Sequence, residues 1–126
     1  LNAPDFIITS LDSTVNFCFN ILPVQLEEGD TKTMSRQFQN ALRNVNPSIR
    51  ISERVDNTAA DKGSEMSWFG FKGYALDGQN YNRMYIIRMR KTVLHGIFNC
   101  PPRVKDQWEG IVEQCFQSVE ELWDIL

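Results

Sequence analysis

The stretch SEMSWFGFKGYAL at residues 64–76 limits the fold more than any other part of the chain. Trp68, Phe69 and Phe71 would place aromatic side chains on both faces of a strand, and such a strand is usually covered on both sides. Two glycines interrupt the run, which indicates a bulge or a closely approaching neighbour. The stretch therefore predicts an interior strand of a sheet that carries a packed layer on each face.

Further strands are predicted on either side of this stretch along the chain. Alternation of apolar and polar side chains is typical of a strand that is half buried. Asp77–Asn80 (DGQN) has the residues of a turn, and TAADKG has those of a polar loop. The segments with strand character are DFIITS, DSTVNFCFNILP, SIRISERVDN, YNRMYIIRM and VLHGIFNC.

Two segments have the period of an amphipathic helix. The first begins after Gly29, with Asp30 or Thr33 as the N-cap, and stops at Asn46-Pro47. The second is expected from about Val104 to Asp124. Its predicted apolar face consists of Trp108, Ile111, Val112, Cys115, Phe116, Val119, Leu122 and Trp123, and that of the first helix consists of Met34, Phe38, Ala41, Leu42 and Val45.

These elements give the order β-β-α-β-β-β-β-α. Short turns between successive strands favour an antiparallel sheet. Two amphipathic helices and a strand that is apolar on both faces place one helix on each side of that sheet. We therefore predict an α+β protein, an α/β/α sandwich with a central antiparallel sheet, and a single domain over residues 1–126.

Composition excludes some classes of protein and restricts the compartment. The net charge of −3 argues against a wholly basic nucleic-acid binder, and no apolar run approaches the length of a membrane span. Three cysteines are too few and too scattered for a disulfide framework, which favours the cytoplasm. Because the sequence starts at Leu1 without methionine, a bacterial envelope protein whose signal peptide was removed is the alternative.

His95 and Cys100 are the one candidate for nucleophilic catalysis. A cysteine nucleophile needs a nearby base, and His95 is the only histidine of the chain. In a strand over residues 93–100 the two residues are an odd number apart, so their side chains point to opposite faces. We therefore predict no catalytic residues and no enzyme, and keep a cysteine-dependent enzyme as an alternative.

No motif for a metal or a cofactor is present. The cysteines and the histidine lack the paired spacing of a zinc site. Gly70, Gly73 and Gly78 do not form a GxGxxG motif, and no strand–turn–helix follows them. We therefore predict no metal site and no cofactor.

Aromatic and basic side chains interleave along the predicted meander of strands. Tyr, Trp and Arg are enriched among the residues that dominate protein interfaces. Tyr81, Arg83 and Tyr85 share one face of a strand and are expected to be an exposed contact surface. The full predicted binding set is Trp68, Phe71, Tyr81, Arg83, Tyr85 and Arg88, although core packing is the simpler interpretation of Trp68 and Phe71.

The element order resembles that of the PsbP-like superfamily, which includes the photosystem II extrinsic protein, a Ran-binding nucleotide-release factor and bacterial DcrB-like proteins. The resemblance spans nearly the whole chain. It is carried by the first helix TKTMSRQFQNAL, the last strand LHGIFNCP, the closing helix WEGIVEQCFQSVEELW, and, as the nearest approach to a motif, Phe98, Pro101, Trp108 and residues 116–119. It implies an α/β/α sandwich that binds proteins, and one bacterial branch consists of dimeric chaperones that shield apolar segments.

The function predicted from the sequence is accordingly that of a non-enzymatic protein-binding module, adaptor or chaperone-like, of a bacterial PsbP-like protein. We expect its partner to be another protein, not a nucleic acid, and we expect a homodimer because such sheets often leave an edge free to pair. The alternative to this function is an envelope protein that binds a small molecule or a lipid.

Overall fold

The computed structural model describes residues 4–59, 64–75 and 78–120, and these residues form one antiparallel sheet with two α-helices. The strands are β1 (Phe6–Thr9), β2 (Asn16–Leu22), β3 (Arg50–Ile51), β4 (Val55–Ala59), β5 (Ser64–Ala75), β6 (Gly78–Arg88) and β7 (Val93–Cys100). The helices are α1 (Asp30–Val45), a short 3₁₀-helix (Pro102–Val104) and α2 (Lys105–Gln117).

The strands follow the order β1-β2-β7-β6-β5-β3, and β4 pairs with β5 beside β3. Residues of β5 and β6 that pair in register share a face, so the contacts of one face can be followed across the sheet. Glu65 on one face hydrogen-bonds Thr31 of α1, whereas Tyr85 on the other face stacks on Phe116 of α2. The two helices thus cover opposite faces, and the predicted α+β sandwich around an antiparallel sheet is confirmed.

The larger apolar core lies between the sheet and α2. Phe116 is its centre: its ring stacks on Tyr85 at a centroid distance of 3.9 Å and contacts Phe17 and Phe19 of β2. Gly96 of β7 makes room for that ring, because a Cβ atom at this position would lie 2.7 Å from Cζ of Phe116. Burial of this aromatic cluster is the main apolar contribution of α2 to the fold.

Helix α1 packs on the other face through a line of small and polar residues. Thr31, Ser35 and Gln39 are the buried residues of the helix, at a spacing of four. Small side chains let the helix approach the sheet closely, above the buried apolar residues Phe69 and Ile86. The predicted apolar face is therefore rotated from the contact line: Met34, Phe38 and Leu42 are half buried, whereas Ala41 and Val45 are exposed.

The start of α1 differs from both predicted N-caps. The helix begins at Asp30, and Gly29 is its N-cap in the left-handed conformation at φ 87°. The N–H of Gly29 donates to both carboxylate oxygens of Glu65 at 3.1 Å, and the hydroxyl of Thr31 donates to Oε1. A carboxylate from β5 thus stabilises the N-terminus of the helix, where unpaired N–H groups attract negative charge.

Three other predicted boundaries also differ. SIRISERVDN forms β3 and β4 rather than one strand, since its register on β5 shifts by one residue between Ile51, which pairs with Phe71, and Val55, which pairs with Trp68. At this shift the Ser52 hydroxyl accepts the N–H of Gly70. Gly78–Asn80 of the predicted turn belong to β6, and Leu76 and Asp77 lie outside the described residues. Helix α2 ends at Gln117, and the predicted helical residues beyond position 120 lie outside the described residues.

Candidate binding surfaces

The six predicted binding residues divide between the two faces of the sheet. Trp68, Tyr81, Arg83 and Tyr85 lie on the face covered by α2, and the last three alternate along β6 as expected. Phe71 and Arg88 lie on the face of α1, where Arg88 forms an ion pair with Glu65 at 3.7 Å. The six residues therefore do not form one surface.

Arg83 is buried, with 3% of its surface exposed, and this overturns the expectation of an exposed contact surface at Tyr81, Arg83 and Tyr85. Its Nε donates to the Tyr81 hydroxyl at 2.8 Å, and one terminal nitrogen donates to the Tyr85 hydroxyl at 3.1 Å. The guanidinium lies 4.1 Å above the ring of Trp68. Ion pairs to Glu109 at 3.4 Å and Glu113 at 3.5 Å complete the contacts, so Arg83 joins the sheet to α2.

The surroundings of Arg83 keep it charged. Burial lowers the pKa of the guanidinium, but the two tyrosine hydroxyls outweigh this effect and raise it. Burial raises the pKa of Tyr85 to about 12, although the adjacent guanidinium opposes the rise. Both side chains thus hold fixed charge states at neutral pH, which suits a structural contact.

An open groove of about 650 Å³ runs around the β3 edge of the sheet, and we call it the basic groove. Trp68, Phe71, Tyr81 and Arg83 of the predicted set contribute to its walls. Among the described residues that line it, Glu109 is the one carboxylate. Its cations are Arg43, Arg50, Lys72, Arg83 and Lys105.

The cations of the basic groove are aligned across neighbouring strands. Arg50 of β3 pairs in register with Lys72 of β5, which in turn pairs with Tyr81 of β6. Above Tyr81, the ammonium of Lys105 lies 4.7 Å from the ring centroid. Like charges directly opposite each other on paired strands do not favour the fold, and Arg50 and Lys72 are such a pair, whereas Lys105 forms an ion pair with Glu109 at 3.6 Å.

The opposite end of the sheet carries a second surface, which we call the apolar edge and define as Phe6, Ile7 and Ile8 of the terminal strand β1. These three side chains are 58%, 56% and 62% exposed. The N–H of Ser10 donates to the carbonyl of Val15, and hydrogen-bonded pairs alternate along an antiparallel ladder. The N–H and C=O groups of Ile7 and Thr9 therefore point outward, away from β2.

His95 and Cys100 face opposite sides of the sheet, as strand parity predicts. His95 stacks on Phe38 of α1 with ring centroids 5.1 Å apart, whereas Cys100 belongs to the core beneath α2. Burial raises the pKa of the Cys100 thiol and lowers the pKa of His95. The arrangement therefore gives Cys100 neither a base from His95 nor a lowered pKa.

Sequence reasoning missed several residues of both surfaces. Arg43, Arg50 and Lys105 reach the basic groove from three elements whose neighbourhood depends on the strand order. The apolar run Phe6–Ile8 was visible in the sequence, but its exposure depends on β1 being the terminal strand. Within the described residues, no group of acidic, cysteine and histidine side chains could hold a metal ion, and no helix is long and apolar enough to cross a membrane.

The chain is similar to known proteins in structure. No protein-family model and no curated protein matches the chain. The solution structure of cyanobacterial PsbP (CyanoP) from Synechocystis sp. PCC 6803 superposes with a TM-score of 0.69 over 94% of this chain and 74% of that chain, at 9% identity. The crystal structure of PA94 from Pseudomonas aeruginosa, a protein of unknown function described as a putative regulator, superposes with a TM-score of 0.65 over 86% of this chain and 73% of that chain, at 18% identity. The chain therefore has the PsbP-like fold.

Proposed function

We propose that this chain is a non-enzymatic protein-binding module, adaptor or chaperone-like, that contacts its partner through the apolar edge. The observation that carries the proposal is the exposure of three consecutive large apolar residues, Phe6, Ile7 and Ile8, on a terminal strand. Proteins usually protect an edge strand with charged residues, proline or a bulge. β1 has no charged residue and no proline, so this edge is suited to contact another chain.

The geometry of β1 supports binding by strand addition. Outward N–H and C=O groups at Ile7 and Thr9 can pair with an extended segment, while exposed side chains on both faces can contact apolar residues of that segment. Leu11 and Ile21 are also exposed beside β1 and would enlarge the contact. The best-suited partner is a protein with an extended apolar segment, in keeping with an adaptor or chaperone-like role.

The test is affinity capture from an extract of the source organism, with the retained proteins quantified by mass spectrometry and then purified for direct binding. The variant Ile7→Lys places a charge on the apolar edge. Val55→Lys is the matched control, since Val55 is also an exposed apolar residue, 38% exposed, on an edge strand at the other end of the sheet.

We expect a partner that both the wild type and Val55→Lys bind. Ile7→Lys should bind this partner about tenfold or more weakly, because a charge in the core of an interface is costly. Thermal unfolding should show that both variants are folded. A partner that binds all three proteins equally, or no partner that purified wild type binds, would contradict the proposal.

A further inference from the structure

We propose that the basic groove binds an acidic peptide segment. The choice of a peptide rests on the proposed protein-binding function, but the site is separate from the apolar edge, since β1 and β3 lie at opposite ends of the sheet. The inference assigns a second contact surface, with its own chemistry, to the same molecule.

The row of cations at Arg50, Lys72 and Lys105 favours a negatively charged ligand. Arg50 and Lys72 are exposed and directly opposite each other in register, and Lys105 continues the row above Tyr81. Adjacent strands are about 4.8 Å apart, so the row concentrates positive charge within a short distance. A carboxylate bound between Arg50 and Lys72 would lie close to both cations and form ion pairs with them.

The shape of the groove favours an extended ligand. Its volume of about 650 Å³ is within the range of ligand sites, but it is open along the β3 edge rather than enclosed. Its cations come from the end of α1, from β3, from β5 and from the start of α2. Charges spread in this way fit several carboxylates spaced along an extended chain better than one compact anion.

The carboxylates of α2 favour a peptide over a nucleic acid. Glu109 lines the groove, and Asp106 and Glu113 lie on the same helix. A phosphodiester backbone carries a negative charge at every step and would meet these carboxylates, whereas a peptide can place its acidic residues opposite Arg50 and Lys72 alone.

The experiment measures fluorescence anisotropy with a short fluorescein-labelled peptide of alternating glutamate and tyrosine. We expect the wild type to bind it and the double variant Arg50→Gln with Lys72→Gln to bind it about tenfold or more weakly, which corresponds to about 1.4 kcal/mol. Lys72→Arg alone keeps the charge and should bind like the wild type. A peptide with glutamine in place of glutamate should not bind.

The matched control is Lys32→Gln with Arg36→Gln, which removes the same charge from exposed positions of α1 outside the groove. We expect this control to change the affinity less than about twofold. Equal weakening by both double variants would mean general charge attraction and would overturn the proposal, as would absence of binding to the wild type. Tighter binding of a single-stranded oligodeoxythymidylate than of the peptide would overturn it in favour of a nucleic-acid site.

The variant Ile7→Lys separates this proposal from the proposed function. It should bind the acidic peptide like the wild type, because the apolar edge lies at the other end of the sheet. If the wild type does not bind the acidic peptide, the conclusion about partner binding at the apolar edge still stands. If no partner binds at the apolar edge, the conclusion about the basic groove still stands.

Discussion

Gly96 lies directly beneath the ring of Phe116, in the middle of β7. We expect Gly96→Ala to lower the free energy of unfolding by about 1–3 kcal/mol, because the added methyl group forces the ring away from Tyr85. Urea denaturation of wild type and variant measures the change.

Gly110 provides the control for Gly96. It lies on the exposed side of α2, and a Cβ atom there meets nothing within 4 Å. Gly110→Ala should raise the free energy of unfolding by about 0.4–1 kcal/mol, because alanine favours the helix and restricts the unfolded chain. Equal effects of the two substitutions would contradict the role assigned to Gly96.

His95 makes stability depend on pH near neutrality. Burial against Phe38 lowers the pKa of His95 below the ordinary value of 6.5, so the unfolded chain binds this proton more readily than the folded protein. Stability from this residue is therefore complete above pH 6.5 and is lost as the pH falls below it. Chemical denaturation at pH 7.5 and 5.5 should show a smaller pH dependence for His95→Phe than for the wild type. An unchanged dependence would contradict this role.

The face of the sheet toward which a side chain points was predictable where the alternation along a strand alone decides it. Alternation in β7 correctly separated His95 from Cys100, because parity needs no knowledge of the neighbouring elements. The same alternation could not show that Gly96 faces an aromatic ring, since that contact depends on how α2 lies across the sheet. The burial of Arg83 was unpredictable for the same reason.

At the scale of elements, the N-terminus of α1 depends on a carboxylate that lies 34 residues away from Thr31 in sequence. Desolvation raises the pKa of Glu65, but hydrogen bonds from Thr31 and Gly29 and the charge of Arg88 outweigh it, so that the pKa is lowered from 4.5. Glu65 thus contributes stability above pH 4.5, and the contribution is lost as the pH falls through its lowered pKa.

Glu65→Gln should therefore lower the free energy of unfolding by about 1.5–3 kcal/mol at pH 7, the range for hydrogen bonds to a charged group. Denaturation curves at pH 7 and pH 3 should show a smaller difference between variant and wild type at the lower pH. A difference that is independent of pH would mean that the charge of Glu65 does not matter.

Arg83 connects α2 to the sheet, and its substitution should act on that junction. Arg83→Ala leaves the buried hydroxyls of Tyr81 and Tyr85 without their donor, and we expect a loss of about 1–3 kcal/mol in the free energy of unfolding. Lys105→Ala removes a more exposed cation that also faces Glu109, and it should cost about 1 kcal/mol or less. An Arg83→Ala variant as stable as the wild type would return Arg83 to the candidates for partner binding.

The existence and type of most elements were predictable, and their packing faces were only partly so. The period of α1 gave its extent, with an end at Val45 before Pro47. It also gave an apolar face, yet the helix buries Thr31 and Ser35, whose small side chains allow a close approach to the sheet, and Gln39, whose amide donates to the Ser52 carbonyl at 3.0 Å. Hydropathy measures the apolar surface of a helix, and it does not show which line of residues the sheet will touch.

At the scale of the whole molecule, strand order decides both candidate surfaces. The last strand β7 lies between β2 and β6, so the first strand β1 becomes one end of the sheet and β3 the other. Alternating patterns and the family resemblance were sufficient for the α+β sandwich. They could not assign the two ends, and for that reason neither the exposure of Phe6–Ile8 nor the row from Arg50 to Lys105 was predicted.

The two ends of the sheet also bear on the predicted homodimer, which stays a prediction. Antiparallel pairing of two copies of β1 would be symmetric, because each strand offers the same outward groups at Ile7 and Thr9. The other end carries Arg50, Arg54 and Asp56, and charges of this kind discourage edge pairing. We therefore expect any self-association to occur through β1.

Size-exclusion chromatography with light scattering over a range of concentrations tests this expectation. The wild type and the control Val55→Lys should form a dimer as the concentration rises, whereas Ile7→Lys should remain a monomer because each copy would bring a lysine into the contact. A dimer that persists in Ile7→Lys would exclude pairing through β1. A wild type that is monomeric throughout would contradict the homodimer. Because a second copy and a protein partner would both contact β1, the dimer expected at high concentration should dissociate when the partner binds the apolar edge.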